Sequence, residues 1–494
     1  MPSSSAVLSA SEEKTPAVRW SHSPGSALAL RIARLTETRS HTVVVTSSAR
    51  ELDLLVDELR FFLADNANQV CTLPGWECLP YDRYSPHPEI TSRRIQTLER
   101  LCRADPFILL LCAEQILFRL PAKGFISGSS FNLSCGTTID PIGLRDRLSD
   151  AGYLGVSQVV SEGEYAIRGG IIDVFPMGAD SPFRLDLFGD EIEKIRLFDP
   201  ETQKSTGETS ALSVLPAREF PTDQAAIEQF RKSYRHFFSG DPQSSIIYRE
   251  VSQGRLPAGI EFYLPLFFDS PGTIFDYLPE DTQWIAPQSW RDQISSEWAG
   301  VNDRFEHTSL DPERPPLSPE VLCLDPGIAA KTISQSGVVE AAEPSGELSK
   351  PDFAGPPPSY PVDHKSSAPF SALTERLNDS SRPKVLLSAE TSGRAQALRE
   401  LLSGHDLHLE EVNSWSEFLR DGIGRSGITV SPLDRGLVAF EPSVEIIVES
   451  QLYGERVHQR RKERVQDPDA IIRSIAELHD GDPVVHLDHG IGRF

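Results

Sequence analysis

The chain has 494 residues and a formal net charge of −24, from 48 Lys and Arg against 72 Asp and Glu. This length is too great for one hydrophobic core, so three or four domains are expected. A surface this acidic repels phosphate, which argues against a dedicated nucleic-acid binder. With 39% hydrophobic residues the chain is a folded protein. It has no apolar run of about 18 residues, so no membrane span is expected.

The cysteines and the first residues indicate the compartment. Six cysteines are scattered without a CxxC pair, which is typical of neither a zinc site nor a disulfide framework. Residues 1–16 are Ser-rich and lack the apolar core of a signal peptide, so we expect a disordered tail there. The sequence therefore predicts a reduced, cytoplasmic protein without a membrane partner.

Residues 17–130 are predicted to form a first α/β domain. The β-branched run 42–46 is followed by Ser48 and Glu51, which have the spacing of a helix capping box. Leucines at helical spacing come next, and the apolar run 107–112 predicts another buried strand. Helices that alternate with strands that are apolar along their whole length indicate a parallel sheet covered on both faces.

Short strands in quick succession predict a small antiparallel domain over residues 131–213. A helix over 144–151 is followed by five predicted strands separated by turn residues such as Gly163 and Gly189. These strands are 156–160, 165–168, 171–175, 183–188 and 192–198.

Mixed α/β structure is predicted to return over residues 214–328, with a helix over 223–238 and apolar strands over 260–268. Composition rich in Ser, Gly, Glu and Pro predicts a linker. That linker covers residues 329–368, and a separate small α/β domain is predicted over 369–456. A second linker with a short helix at 470–478 is predicted over 457–480. Residues 481–494 begin a strand whose pattern is incomplete, and we interpret this as truncation.

No nucleotide-binding or catalytic motif is evident. A P-loop needs a Lys after its glycines, and no Gly-Lys dipeptide occurs in the chain. The position of such a loop near Gly25 therefore predicts a degenerate site. There is no GxSxG motif either. We expect no catalytic residues, no cofactor and no ATP hydrolysis by this chain.

A possible metal site lies near the end of the sequence. His486, Asp488 and His489 have the chemistry of metal ligands. The alternative is a polar strand end before Gly490, which we prefer because no further ligand is near. The sequence thus predicts no metal.

One strand of the small domain carries the sharpest feature. Side chains alternate along the predicted strand 183–188. Arg184, Asp186 and Phe188 therefore share one face, and Phe183, Leu185 and Leu187 share the other. Arg168 ends a strand that we take to be adjacent. Arginine with an exposed aromatic residue is typical of protein-interface hot spots. On physics alone, Phe188 in a minor core and Phe188 in an interface are both open.

Several motifs resemble those of transcription-repair coupling factors, the Mfd family. The main ones are Glu162-Gly-Glu-Tyr-Ala-Ile-Arg-Gly-Gly-Ile-Ile-Asp-Val-Phe-Pro176 and Arg184-Leu-Asp-Leu-Phe-Gly-Asp-Glu-Ile-Glu193. Others follow in family order from about residue 20 to the end: residues 79–82, 215–221, 254–261, 454–456 and 482–493. A looser version of the main motifs occurs in the excision-repair protein UvrB.

The resemblance implies a fold and a function. It implies an α/β multidomain protein. Residues 17–130 would form domain 1a, with a degenerate RecA/P-loop-like fold, and residues 131–213 would form the inserted domain 2. Residues 214–328 would be domain 1b, and residues 369–456 would be domain 3, the separate α/β domain. Residues 481–494 would begin an RNA-polymerase-interacting, CarD-like domain. The family recruits UvrA in transcription-coupled nucleotide excision repair, and its UvrA contacts fall on Arg168, Arg184 and Phe188. In the family, ATP, Mg²⁺ and DNA are used mainly by a C-terminal translocase, and RNA polymerase is contacted through the polymerase-interacting domain.

Two other functions are considered. The first is an ATP-dependent excision-repair helicase like UvrB, which the missing Gly-Lys argues against. The second is a scaffold whose only role is to hold the translocase. The interpretation that we favour is a protein-binding module for UvrA.

Overall fold

The computed structural model describes residues 18–103, 105–309, 311–342, 352–363, 365–366, 368–379, 381, 383–404, 407–420, 424–453, 483–486 and 490–493. The chain divides into two units after Leu452. Within the described residues, no helix is long and apolar enough to cross a membrane. The predicted tail, the predicted helix at 470–478 and two candidate metal ligands, Asp488 and His489, lie outside them.

The first segment alternates strands and helices, as the sequence predicts. At the start of the second helix, the Ser48 hydroxyl accepts from the Glu51 amide and the Glu51 carboxylate accepts from the Ser47 amide, so a cap forms at the predicted place. The strands are β1 Val18–Trp20, β2 His41–Thr46, β3 Val70–Thr72 and β4 Phe107–Cys112, and the helices are α1 Ala27–Leu35, α2 Ala49–Leu63, α3 Pro88–Cys102, α4 Ala113–Leu117 and α5 Lys123–Gly128.

The small domain follows and is mostly antiparallel, as predicted. Its elements are β5 Phe131–Ser134, α6 Pro141–Asp150, β6 Leu154–Gly155, β7 Glu164–Arg168, β8 Ile171–Val174, β9 Phe183–Phe188, β10 Glu191–Phe198, β11 Ser205–Thr209 and β12 Ala211–Val214. Six of the strands form one sheet in the order β11-β10-β9-β8-β7-β6, while β5 pairs with β12. The predicted strand at 156–160 is wrong, since only Leu154 and Gly155 pair with β7.

The third segment returns to helices and two strands. Its elements are α7 Gln224–Phe237, α8 Ile246–Ser252, α9 Ile274–Tyr277, β13 Gln283–Pro287, α10 Trp290–Thr308, α11 Pro319–Leu322, α12 Pro326–Ser336 and β14 Val338–Ala341. The strands predicted over 260–268 are wrong, because Ile260–Phe267 is a 3-10 helix buried on every side, and an apolar run has no periodicity that separates strand from helix. The linker predicted from residue 329 is also wrong up to 341, since α12 and β14 occupy that stretch.

The first and third segments build one parallel sheet in the order β1-β14-β13-β2-β4-β3. The small domain is therefore an insertion, as predicted. Along β2 and β4, alternate side chains enter the cores on the two faces: Val43 and Leu109 on one, Val44 and Ile108 on the other. Helices cover both faces, which explains why these strands are apolar throughout.

A second α/β domain has a mixed sheet in the order β15-β19-β20-β16-β18-β17. Tyr360 donates a 2.6 Å hydrogen bond to buried Glu445 of this domain, so its packing begins before the predicted boundary at 369. Its elements are β15 Ala354–Gly355, α13 Ser371–Asn378, β16 Lys384–Ala389, α14 Ser392–Ser403, β17 Glu410–Glu411, α15 Trp415–Leu419, β18 Ser426–Val430, β19 Leu437–Ala439, β20 Val444–Val448 and α16 Glu449–Tyr453. In the other unit, Pro483–His486 and Gly490–Arg493 form an antiparallel hairpin.

The two α/β domains share a core. Phe62 of α2 packs edge-on against Trp415 of α15, with ring centroids 5.3 Å apart. Arg31 of α1 forms an ion pair with Asp352 at 2.9 Å and lies over the Trp20 ring. Apolar residues of both domains belong to one continuous buried cluster. The second α/β domain is thus packed against the first by aromatic and apolar contacts.

A buried carboxyl group lies at this domain contact. The Ser26 hydroxyl, which is not exposed, is 2.6 Å from both Glu58 Oε1 and the Arg435 carbonyl oxygen. A hydroxyl has one proton, so both contacts are hydrogen bonds only when Glu58 carries a proton and donates it to Ser26. Burial raises the pKa of Glu58 from 4.5 to about 7, against the opposing effects of Ser26 and Arg435, with Asp434 and Asp57 adding to the increase.

We predict that protonation of Glu58 stabilises the folded chain. Because its folded-state pKa lies above that of the unfolded chain, the contribution is complete below pH 4.5 and is lost as the pH rises through about 7. The change corresponds to about 3 kcal/mol. Urea unfolding at several pH values is expected to show this loss in the wild type and a flatter profile in Glu58→Gln.

The matched control is Asp53→Asn, on the exposed side of the same helix. It is expected to keep the wild-type profile. A Glu58→Gln variant whose stability falls with pH as steeply as that of the wild type would show that this carboxyl group is not responsible.

Candidate functional site

The six-stranded sheet of the small domain has an inner face that builds its core. The inner side chains of the central strands are almost completely buried together with Leu144 and Leu148 of α6. They include Ile172 of β8, Leu185 of β9, and Ile192 and Ile195 of β10. This apolar set fixes the register of the strands, since a shift by one residue would expose all of it. The residues between them must therefore point to the opposite side.

We call that opposite side the outer face, defined by the side chains of Arg168, Asp173, Arg184, Asp186, Phe188 and Arg196. Phe188 is 79% exposed, at the last position of β9, before Gly189, whose φ of 63° turns the chain back into β10. Strand alternation predicted the face of Phe188 and left its exposure open; the minor-core alternative is wrong. A side chain this exposed contributes little to the hydrophobic core of the domain.

The buried Asp173 carboxylate connects two arginines on the outer face. Its side chain is not exposed at all, and β8 places it directly between Ala166 of β7 and Arg184 of β9. Arg184 donates from Nε to Oδ1 at 2.7 Å and from Nη2 to Oδ2 at 2.9 Å. Arg168 also donates to Oδ2. This carboxylate is satisfied by two cations, which is what burial of a charge requires.

Arg184 is held from two further directions. Its guanidinium carbon lies 4.6 Å from the centroid of the buried Phe198 ring, a cation–π contact. The backbone and side-chain oxygens of Gln203 accept from its Nη1 and Nη2, each at 3.4 Å. The hydrogen bonds to Asp173 raise the pKa of Arg184 above its ordinary value. Arg184 is thus a fixed part of the sheet surface.

A second ion pair completes the outer face. Arg196 of β10 donates from Nε and Nη2 to the Asp186 carboxylate at 2.7 and 2.6 Å, a bidentate pair. A β-bulge at Glu193 restores the alternation that directs Ile192 inward and Arg196 outward. Both carboxylates among these six residues are thus paired with arginines.

The structure corrects one point of the sequence interpretation. Arg168 is not on a strand adjacent to Arg184, because β8 lies between their strands; Asp173 bridges them instead. The structure also shows that the Arg184 side chain is only 15% exposed, against 49% for Arg168. Asp173 was missed by the sequence analysis. The sequence does contain one indication of its role. A charged residue inside an apolar strand is rarely buried unless it is paired with a residue of opposite charge.

The loop at Gly25 is covered by the second α/β domain. A Cβ added at Gly25 would lie 1.9 Å from the Gly436 carbonyl oxygen of the second α/β domain. The Arg435 carbonyl oxygen and the Glu58 carboxyl group lie beside the neighbouring Ser26 hydroxyl. A phosphate site at a helix N-terminus needs free N–H donors, whereas oxygen atoms of the protein occupy the surroundings of this one.

Cysteine and acidic side chains offer no second candidate site. The cysteines are all free, and burial raises the pKa of the Cys71 and Cys323 thiols to about 12, which suppresses the reactive thiolate. No group of three or more His, Cys, Asp or Glu residues that could hold a metal ion occurs within the described part of the chain. The outer face is the best candidate.

We predict that the two arginines differ in their effect on stability. Arg184→Ala leaves buried Asp173 with only Arg168, and is expected to lower the free energy of unfolding by about 3 kcal/mol. Arg168→Ala leaves the bidentate pair intact and is expected to cost about 1 kcal/mol or less. Thermal and urea unfolding of both variants measure the difference. Equal losses would contradict this assignment of roles.

Comparison with known proteins identifies the domains. Residues 131–220 match the family model of the UvrB interaction domain, which contains the outer face, and residues 378–452 match the MFD D3 domain. These ranges lie close to the predicted boundaries at 131–213 and 369–456.

Relatives match nearly the whole chain. The transcription-repair-coupling factor of Haemophilus influenzae is 36% identical over 488 residues, covering 94% of this chain and 41% of that protein. That of Escherichia coli is 36% identical over 486 residues, covering 95% and 41%, and that of Bacillus subtilis is 25% identical, covering 94% and 40%. The chain spans about two fifths of the length of these relatives. With a UvrB interaction domain, an MFD D3 domain and this extent of similarity, the chain belongs to the transcription-repair coupling factor family.

Proposed function

We propose that this chain is the UvrA-recruiting N-terminal module of a transcription-repair coupling factor, and that it binds UvrA through the outer face. The observation that carries the proposal is Phe188, an aromatic side chain that is 79% exposed on the same sheet face as Arg168 and Arg184 of the UvrB interaction domain. Aromatic and Arg side chains on a rigid surface lose little conformational entropy on binding, which is why they dominate interface hot spots.

The charges of the outer face favour an acidic partner surface. Arg168 extends from the face with half of its side chain exposed, while the carboxylates of Asp173 and Asp186 are already paired. The rest of the chain is strongly acidic, so long-range electrostatics do not steer an acidic partner to it. Short-range complementarity at the outer face must therefore provide the specificity.

The alternative, an ATP-dependent helicase like UvrB, is less well supported. It needs a phosphate-binding Lys and open N–H groups at the end of α1, whereas Gly436 closes off Gly25. A degenerate, RecA-like parallel sheet, as the family resemblance implies, would fit the UvrA-binding module better than the helicase. We infer that ATP binding, DNA translocation and RNA polymerase contacts are functions of the longer proteins to which this chain is related.

We predict that the chain neither binds nor hydrolyses ATP. Titration with a fluorescent ATP analogue and a phosphate-release assay are expected to give background signals, with a full-length relative as positive control. ATP turnover that disappears in Ser26→Ala, a change at the loop beside Gly25, would contradict the prediction and favour the helicase.

We predict that Phe188→Ala weakens UvrA binding about thirtyfold, a loss of about 2 kcal/mol, because a hot-spot aromatic residue loses its partner contacts. Its folded stability is expected to stay near that of the wild type, since Phe188 is exposed. Binding of purified UvrA measured by titration calorimetry, together with thermal unfolding, checks both points.

The matched control is Tyr84→Ala, an aromatic residue 74% exposed on a loop of the first domain. It is expected to bind UvrA as the wild type does. If Phe188→Ala binds normally, or Tyr84→Ala loses binding to the same extent, then the outer face is not the UvrA contact. Normal binding by Tyr84→Ala and weak binding by Phe188→Ala also exclude the scaffold-only interpretation.

A further inference from the structure

The number of N–H groups left for a partner differs between the two arginines that share Asp173. A guanidinium has five N–H groups. For Arg184, two are directed to Asp173 and two to Gln203, and its planar face lies on the Phe198 ring. Only one N–H remains. Arg184 therefore has little capacity to bind a carboxylate on another protein.

Arg168 has the opposite balance. Among the described residues, its guanidinium is hydrogen-bonded to Asp173 alone, through Nη2. Its Nε and Nη1 groups remain available, and about half of the side chain is exposed. The flanking Gly169, at φ 61°, and Gly170 bring no side chains that would cover it. Arg168 can thus donate to a partner carboxylate while Asp173 fixes its position.

The position of Asp173 makes it the centre of this arrangement. Its carboxylate is completely buried, so it needs compensation by nearby cations. Two guanidinium groups from strands on either side of β8 supply it. Arg184 satisfies most of the carboxylate with two short hydrogen bonds, which leaves Arg168 only partly neutralised. If Arg184 were absent, Asp173 would attract Arg168 as its only counter-ion.

We propose that Asp173 is a positioning residue for UvrA binding. It holds the Arg168 guanidinium at the outer face for a carboxylate of UvrA, and uses Arg184 to balance its own charge. The inference rests on the proposed UvrA contact and adds a division of labour: Arg168 makes the ionic contact, Arg184 supports Asp173, and Phe188 provides the apolar contact.

The test is a double-mutant cycle on the full chain with purified UvrA. Asp173→Asn is expected to weaken binding about tenfold, because Arg168 loses the anchor that orients it. In an Arg168→Ala background, the same change is expected to have no further effect. The matched control Glu445→Gln removes a buried carboxylate that pairs with Arg376 in the second α/β domain, away from the outer face, and is expected to change the affinity less than about twofold.

Three outcomes would overturn the inference. In the first, Asp173→Asn binds UvrA like the wild type while Phe188→Ala and Arg168→Ala bind weakly. This result would support the UvrA contact but show that Asp173 has no role in it. An equal loss with and without Arg168 would show a general structural effect. If Arg168→Ala, Arg184→Ala and Phe188→Ala all bind normally, the proposed function itself fails, and the inference fails with it.

A second variant keeps the test decisive if Asp173→Asn does not fold. Arg184→Ala leaves Asp173 to draw Arg168 into the sheet, so it is expected to bind UvrA weakly. Adding Asp173→Asn to Arg184→Ala removes the unbalanced buried charge, so the double variant is expected to unfold at a higher temperature than Arg184→Ala alone. Because Arg168 then has no anchor, binding of UvrA is expected to stay weak although the fold is restored. Wild-type affinity in the double variant would overturn the proposal.

Discussion

A buried carboxylate in the middle of an antiparallel sheet is the interaction on which the candidate site depends. Asp173 has no exposed surface, so the sheet must supply positive charge on both sides of β8. The inner apolar residues fix the strand register, the register places Arg184 beside Asp173, and the pair leaves Arg168 facing outward. The exposed Phe188 lies on the same strand as Arg184, about 13 Å away at ~3.3 Å per residue.

The small domain is connected to the parallel-sheet domain at both of its ends. The parallel sheet is assembled from segments on both sides of the inserted domain, and the β5–β12 pair brings the ends of the insertion together. The second α/β domain packs on the first through Trp415 and Phe62 and fills the surroundings of Gly25. The start of α1 is therefore covered by backbone oxygen atoms of the second α/β domain.

Much of this was predictable because strong periodic patterns determine local structure. The apolar strands, the cap at Ser48 and the outward orientation of Phe188 follow from alternation and capping. The 3-10 helix Ile260–Phe267 was not predictable, since a run that is buried on all sides carries no period. The composition of residues 329–341 predicted a linker, and this was wrong. Residues 338–341 form the strand β14 because they pair with β1 and β13 in the folded chain. The bridging role of Asp173 depends on strand order, which the sequence does not contain.

Hydrogen–deuterium exchange of the chain with and without UvrA tests the central claim most directly. The turns that flank the outer face are at Gly169–Gly170, after Arg168, and at Gly189–Asp190, after Phe188. The account predicts that UvrA slows amide exchange in peptides covering both turns and leaves the loop around Tyr84 and the second α/β domain unchanged. Protection of the parallel-sheet domain or of residues 378–452, with both turns exchanging as in the free chain, would contradict it.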